Sequence, residues 1–171
     1  EVIPVYGRKP LRLEQHLRRL EQSLAAIRMQ PPLSDSEWTT IFDRLISGTA
    51  DQQIYLQVTR GVEFGRNHAP AAGLAPTIFL MASPLSALDP TIRVHGVDAV
   101  TVADERWKRC DIKSTSLLPN VLAKGVAAAA GATEAILLAE GCLREGSSSS
   151  VMVVKDGIVH APPEGPYILP S

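Results

Sequence analysis

Cysteine is scarce in this chain. Two residues, Cys110 and Cys142, serve 171 positions, with no C-x-x-C pair and no Cys/His cluster, so neither a disulfide framework nor a thiolate metal site is encoded. That usage fits a reducing, cytoplasmic compartment. Long apolar runs are missing too: the longest, 126–130 and 135–139, are far too short to span a bilayer. No basic start leads into an apolar targeting stretch. Neither sign of charge is in excess, with 17 basic against 18 acidic side chains and a formal net charge of −1. That balance removes the field that draws proteins to nucleic acid or anionic lipid. No internal repeat is present. The length suits one ample domain or two small ones, either able to bury a core without staples.

Residues 2–6 read as a strand directly behind Glu1, which is not a methionine, and 167–169 are apolar almost to the last residue. The expectation is a segment of a longer polypeptide. After Gly7, the spacing of Leu13, Leu17, Leu20, Leu24 and Ile27 predicts a helix with one buried stripe, ended by Pro31 and Pro32. Ser34 with Glu37 is a capping box that announces a second helix through Trp38, Ile41, Phe42, Leu45 and Ile46. Alternation over 54–59 predicts a half-buried strand, 60–73 a loop, and 77–81 a more continuous apolar strand.

Two prolines and small polar residues over 83–90 break that pattern. The division expected is a small N-terminal α/β domain at 1–85, a linker at 86–90, and part of a larger domain at 91–171. Beyond the linker, 92–94 and 99–102 read as strands, and 117–130 as a helix that tolerates Pro119 only in its first turn. Strands follow at 134–138, 151–154 and 158–160, the last two joined by the hairpin signal of Lys155, Asp156 and Gly157. The fold class is α+β, in two α/β-type subdomains.

The richest chemistry lies in Arg109-Cys110-Asp111-Ile112-Lys113-Ser114 and, further on, Glu145-Gly146 with Ser147 to Ser150. Lys113 falls between a strand-like run and a helix, where Ile112, Leu117 and Leu118 can supply the apolar setting that activates an amine. Glu145 precedes small residues at what reads as a turn between strands, and a carboxylate there can hold a pyridine nitrogen protonated. Gly146 permits close backbone approach, and Ser148 and Ser149 bring hydroxyls and amides to ligand oxygens. An amine, a carboxylate and such a turn are what a pyridoxal phosphate site needs. Each alone is an ordinary surface group.

Arg66 and His68, two apart in the loop, can clamp a carboxylate if the backbone is extended. Arg19, off the centre of its helix's apolar stripe, can bind a phosphate as a fork. Cys110 and Cys142 are expected to be buried small residues, and His16 and His160 have no partner in sequence. Asp111 can orient neighbours.

Together, RCDIKSTSLLPNVLAK, GATEAILLAEG and EGSSSSVMVVKDGI, with HLRRL upstream and QVTRG…GRNH between, resemble the fold type IV pyridoxal phosphate enzymes, most closely D-amino acid aminotransferases. The resemblance implies that Lys113 is the Schiff-base lysine and Glu145 the partner of the ring nitrogen. It makes Arg19 the phosphate ligand and Leu169 the residue packed behind the ring, in a homodimer where Arg66 and His68 reach the substrate carboxylate of the neighbouring subunit. It further implies ping-pong transfer between a D-amino acid and a 2-oxo acid. The family's active-site tyrosine would lie directly before Glu1 and an Ile-Thr phosphate ligand pair after Ser171. A branched-chain L-aminotransferase or an aminodeoxychorismate lyase shares the same fold. A non-catalytic module that binds a phosphorylated ligand is the alternative from another class.

Overall fold

Gly7 and Arg8 both adopt positive φ, 52° and 68°, which is the backbone a tight two-residue hairpin requires. They join Val2–Tyr6 (β1) to Lys9–Pro10 (β2). In the computed structural model, which describes residues 1–171, this hairpin opens the first of two units, Glu1–Ala87 and Leu88–Ser171. The long antiparallel strands Gln52–Thr59 (β3) and Thr77–Pro84 (β4) complete a four-stranded sheet in the order β2-β1-β3-β4.

Two helices supply the apolar cover. Leu13–Ala26 (α1) buries Leu17, Leu20 and Leu24, and Asp35–Leu45 (α2) buries Trp38 and Phe42, as the periodicity predicts. Ser34 and Glu37 form the capping box expected of them. These side chains share one core with Ile3 and Val5 of β1 and Ile54 and Leu56 of β3. The strand expected to be continuously apolar alternates instead: Ile78, Leu80 and Ala82 of β4 face the core, whereas Phe79 and Met81 are exposed. With β4 at the sheet's edge and helices on one face only, its other face has no apolar cover in this unit.

The second unit begins with a correction. Ile92 to Val94, predicted as strand, lie in the short helix Pro90–His95 (α3). Asp89 Oδ1 accepts from the Thr91 amide and hydroxyl at 2.9 and 2.8 Å, and Pro90 sits at the first helical position, so an N-cap with a proline behind it overrides the β-branched run. Asp89 and Pro90, assigned to the linker, therefore start this helix, and β4 runs on through Pro84, past the first proline read as a break.

Ala99–Ala103 (β5), Leu118–Ala129 (α4) and Glu134–Ala139 (β6) form a parallel strand-helix-strand unit, with Pro119 in the first turn of α4 as required. Glu140 and Gly141, again at positive φ, then turn the chain into Cys142–Gly146 (β7), antiparallel to β6. That strand went unpredicted: its segment read as a turn because charges and glycines flank it, yet pairing with β6 makes it strand. The register shifts between Ile136 and Leu138, so Arg144 and Glu145 sit at an irregularity that can re-aim a side chain. Val153–Lys155 (β8) and Ile158–His160 (β9) make the expected hairpin, β8 starting two residues later than predicted. No helix is long and apolar enough to cross a membrane.

Phe42, 1% exposed in the first core, should cost about 3–5 kcal/mol when cut to alanine. Urea unfolding measures this, and Phe64→Ala, at a wholly exposed ring, should stay within about 0.5 kcal/mol.

Candidate functional site

Arg106 holds the second unit's polar centre together. Behind β5, the Asp104 amide donates to Leu138 O at 2.8 Å, which places the next residues against the sheet. Arg106 then grips Asp104 as a fork, Nε to Oδ1 and Nη2 to Oδ2, both at 2.9 Å. Its Nη1 donates to Glu145 Oε2, and Nη2 also to Tyr167 O at 3.1 Å. The Arg106, Asp104 and Glu145 side chains are 8%, 7% and 8% exposed, so this is a buried ion network. Burial pushes the Asp104 carboxyl up, but hydrogen bonds from the Arg106 side chain and amide outweigh it and hold it below the usual carboxylate range. Burial also opposes the charge on Arg106, and its bonds to Asp104 and Glu145 more than restore it.

A strap near the C-terminal end of the chain closes over this network. The Leu169 amide donates to Glu145 Oε1 at 2.9 Å. Pro166 O accepts from the Cys110 amide at 2.7 Å, and the Asp111 amide lies at 3.4 Å. Arg144 stacks over the Tyr167 ring, its Cζ 4.7 Å from the centroid, a contact that fastens the strap's middle. Glu145 is thus a buried strand carboxylate aimed by two donors, where the sequence reads as a turn between strands. Lys113, half-buried next to buried Ile112, follows Cys110 in the segment tied to the same strap. The Lys113 segment and Glu145 are thus both bonded to the strap, at Pro166 and Leu169.

The serine turn lies beside it, with a different use of its hydroxyls from the one expected. Ser147, Ser148 and Ser149 all donate to the Glu134 carboxylate, the latter two at 3.0 and 2.8 Å. Asn120 Nδ2 of α4 donates to Ser147 O at 2.8 Å, which links the turn to the helix that follows Lys113. Burial pushes Glu134 up, but the serine hydroxyls and the Ala135 amide outweigh it and bring its pKa to about 2.

The remaining candidates lie in the first unit. Arg19 of α1 donates to Glu1 through Nε at 2.9 Å and Nη2 at 2.6 Å, so it is part of a half-buried ion pair. His16, left without a role, joins this pair through Nδ1 at 2.8 Å from Glu1 Oε2. Arg66 and His68 are exposed in the irregular 60–76 loop, where Asn67 Oδ1 accepts from the Ala69 amide at 3.1 Å. Gly61 shapes that loop's start: its φ is +112°, and a Cβ there would stand 2.1 Å from Ala75 O. Cys110 is buried as expected, and burial raises its thiol pKa despite nearby Arg106. Cys142, expected to be buried, is exposed at the β6–β7 turn.

Three residues of this centre were missed: Arg106, Asp104 and Glu134. Arg106 and Asp104 carry a signal, a charged trio with Glu105 just past an apolar strand. Glu134 carries none, since a strand-initial carboxylate is ordinary.

The whole chain, residues 1–171, matches the family described as amino-transferase class IV. The chain belongs to that family. It is 39% identical to the D-alanine aminotransferase of Bacillus licheniformis over 171 residues, 99% of this chain and 60% of that protein. A PLP-bound hypothetical aminotransferase from Mycobacterium tuberculosis superposes with a TM-score of 0.80 at 26% identity, covering 99% of this chain and 62% of that one. The branched-chain aminotransferase of Thermobaculum terrenum, in its PLP form, gives a TM-score of 0.81 at 26% identity over 100% and 59%. The chain thus spans about 60% of the length of the relatives it matches, and its fold is that of fold type IV enzymes.

Two outcomes follow from the ion pairs. Arg106→Met strands two buried carboxylates and should cost about 3–5 kcal/mol in urea unfolding. Glu134, whose folded pKa is depressed, contributes stability that is fully present above its ordinary value of 4.5 and lost as pH falls towards about 2. Glu134→Gln should flatten that stretch of a plot of urea midpoint against pH.

Proposed function

We propose that the protein is a pyridoxal phosphate-dependent transaminase that moves an amino group between a D-amino acid such as D-alanine and a 2-oxo acid such as 2-oxoglutarate. The observation that carries this reading is the buried Glu145 carboxylate, fixed by Arg106 and the Leu169 amide beside the Lys113 segment. The donor set fits the cofactor. A carboxylate oxygen has two lone pairs, so each Glu145 oxygen keeps acceptor capacity for a protonated ring nitrogen after its existing bond. The relatedness to D-alanine aminotransferases supports the substrate class.

In this reading Lys113 Nζ would hold the cofactor at its aldehyde carbon and, once free, would serve as the base at the substrate α-carbon. When bound, the cofactor supplies an electron sink for that carbon. Glu145 keeps the ring nitrogen protonated, and Arg106 holds Glu145 in the required direction. Half-buried Leu169 would pack behind the ring. Arg19, its guanidinium oriented by Glu1, would hold the phosphate, and Ser148 and Ser149 would be further cofactor contacts. Arg66 and His68 take the substrate α-carboxylate across a homodimer, and the enzyme works in the cytoplasm.

Likeness to a branched-chain aminotransferase favours an L-specific enzyme as the second reading. Separate assays of D-alanine and L-leucine with 2-oxoglutarate decide between them, and turnover of L-leucine alone would exclude D specificity. The full-length protein should be yellow with added pyridoxal phosphate. Lys113→Ala should lose borohydride-fixable cofactor and reduce turnover by at least about 10²-fold; a colourless parent would rule out the enzyme reading.

A further inference from the structure

Glu134 opens β6 with its side chain 14% exposed and Lys124 Nζ 3.5 Å from its Oε1, and its carboxylate accepts four hydrogen bonds. Oε1 accepts from Ser147 Oγ and from the Ala135 amide at 2.9 Å, and Oε2 from Ser148 Oγ at 3.0 Å and Ser149 Oγ at 2.8 Å. Each hydroxyl has a single proton, and here all three protons point at one acceptor group. None of them is left to donate to a ligand.

The backbone of the turn is fixed around this carboxylate. The Ser147 amide donates to Ala135 O at 2.8 Å and the Gly146 amide to Ser149 O at 2.7 Å, whereas the amides of Ser148, Ser149 and Ser150 enter none of the turn's backbone hydrogen bonds. A Cβ at Gly146 would stand 2.2 Å from Ser149 Oγ and 3.2 Å from Glu134 Cδ, so the glycine is what lets the turn close on Glu134. Ser147 is buried, but Ser148 and Ser149 are exposed. Their unengaged amides are the donors the turn retains.

We propose that Glu134 is a positioning residue for the cofactor. By taking the hydroxyl protons of Ser147, Ser148 and Ser149, it locks the turn so that Ser148 and Ser149 meet cofactor oxygens with main-chain amides and not with hydroxyls. This rests on the pyridoxal phosphate reading above.

The test is a double-mutant cycle on the full-length protein, read as the dissociation constant of pyridoxal phosphate. Its corners are the parent, Glu134→Ala, the triple serine-to-alanine variant at 147–149, and their combination. If Glu134 acts through the hydroxyls, either change alone should weaken binding about tenfold, and the combination should be no weaker than either alone. Urea unfolding of the cofactor-free variants should show the same non-additivity. Glu134→Gln, whose nitrogen cannot accept from Ser148 and Ser149, serves if the alanine variant does not fold, and should weaken binding in the same direction. An unchanged dissociation constant, or effects that multiply in the combination, would overturn the proposal while Lys113→Ala still loses fixable cofactor. A parent that binds no pyridoxal phosphate would overturn this proposal and the proposed function together.

Discussion

One buried guanidinium carries the organisation of the second unit. Arg106 reaches Asp104 at the end of β5, Glu145 on β7 and the Tyr167 carbonyl on the strap, three pieces of chain that share no continuous secondary structure. Removing three charged groups from water is costly, and the cost is offset only when every donor and acceptor finds its partner. A guanidinium fork can satisfy several acceptors in one plane, whereas a lysine presents a point charge without that geometry. The orientation of Glu145 is therefore a property of the whole network.

Lys113 gains its position in a similar indirect way. Its own segment is irregular, between β5 and α4, but is anchored on both sides. Upstream, the Cys110 amide donates to Pro166 O; downstream, Asn120 donates to Ser147 O. The first anchor ties the lysine's segment to the strap that also bonds Glu145, and the second ties it to the turn held by Glu134. Backbone carbonyls, which offer no sequence-specific signal, thus tie the lysine's segment to the strap and to the serine turn.

The first unit shows the same contrast between fixed and open parts. Arg19 is held by Glu1 in a half-buried pair that His16 completes, so its direction is set within the unit. Arg66 and His68 stand on an exposed loop that begins at a glycine no other residue could replace without a clash. Side chains on such loops depend on a rigid scaffold to present them, and here that scaffold is the β3–β4 pair.

The apolar order of the chain was legible from local rules. Helices α1, α2 and α4 and strands β1, β3, β4, β5 and β6 follow from periodicity, and the capping box and Asp-Gly turn from side-chain chemistry. Motif and resemblance single out Lys113, Glu145, Arg19, Arg66, His68, Ser148, Ser149 and Leu169. What sequence alone could not decide was partnership. That α3 is a helix depends on one cap contact outweighing β-branched residues, that β7 is a strand depends on β6 lying alongside, and the serine hydroxyls turn to Glu134 because β6 places a carboxylate within reach. Local composition determines which residues can be helical, buried or chemically active. Only the tertiary fold, by bringing Arg106, Glu134 and the 166–169 strap to groups remote in the chain, decides which way those residues face.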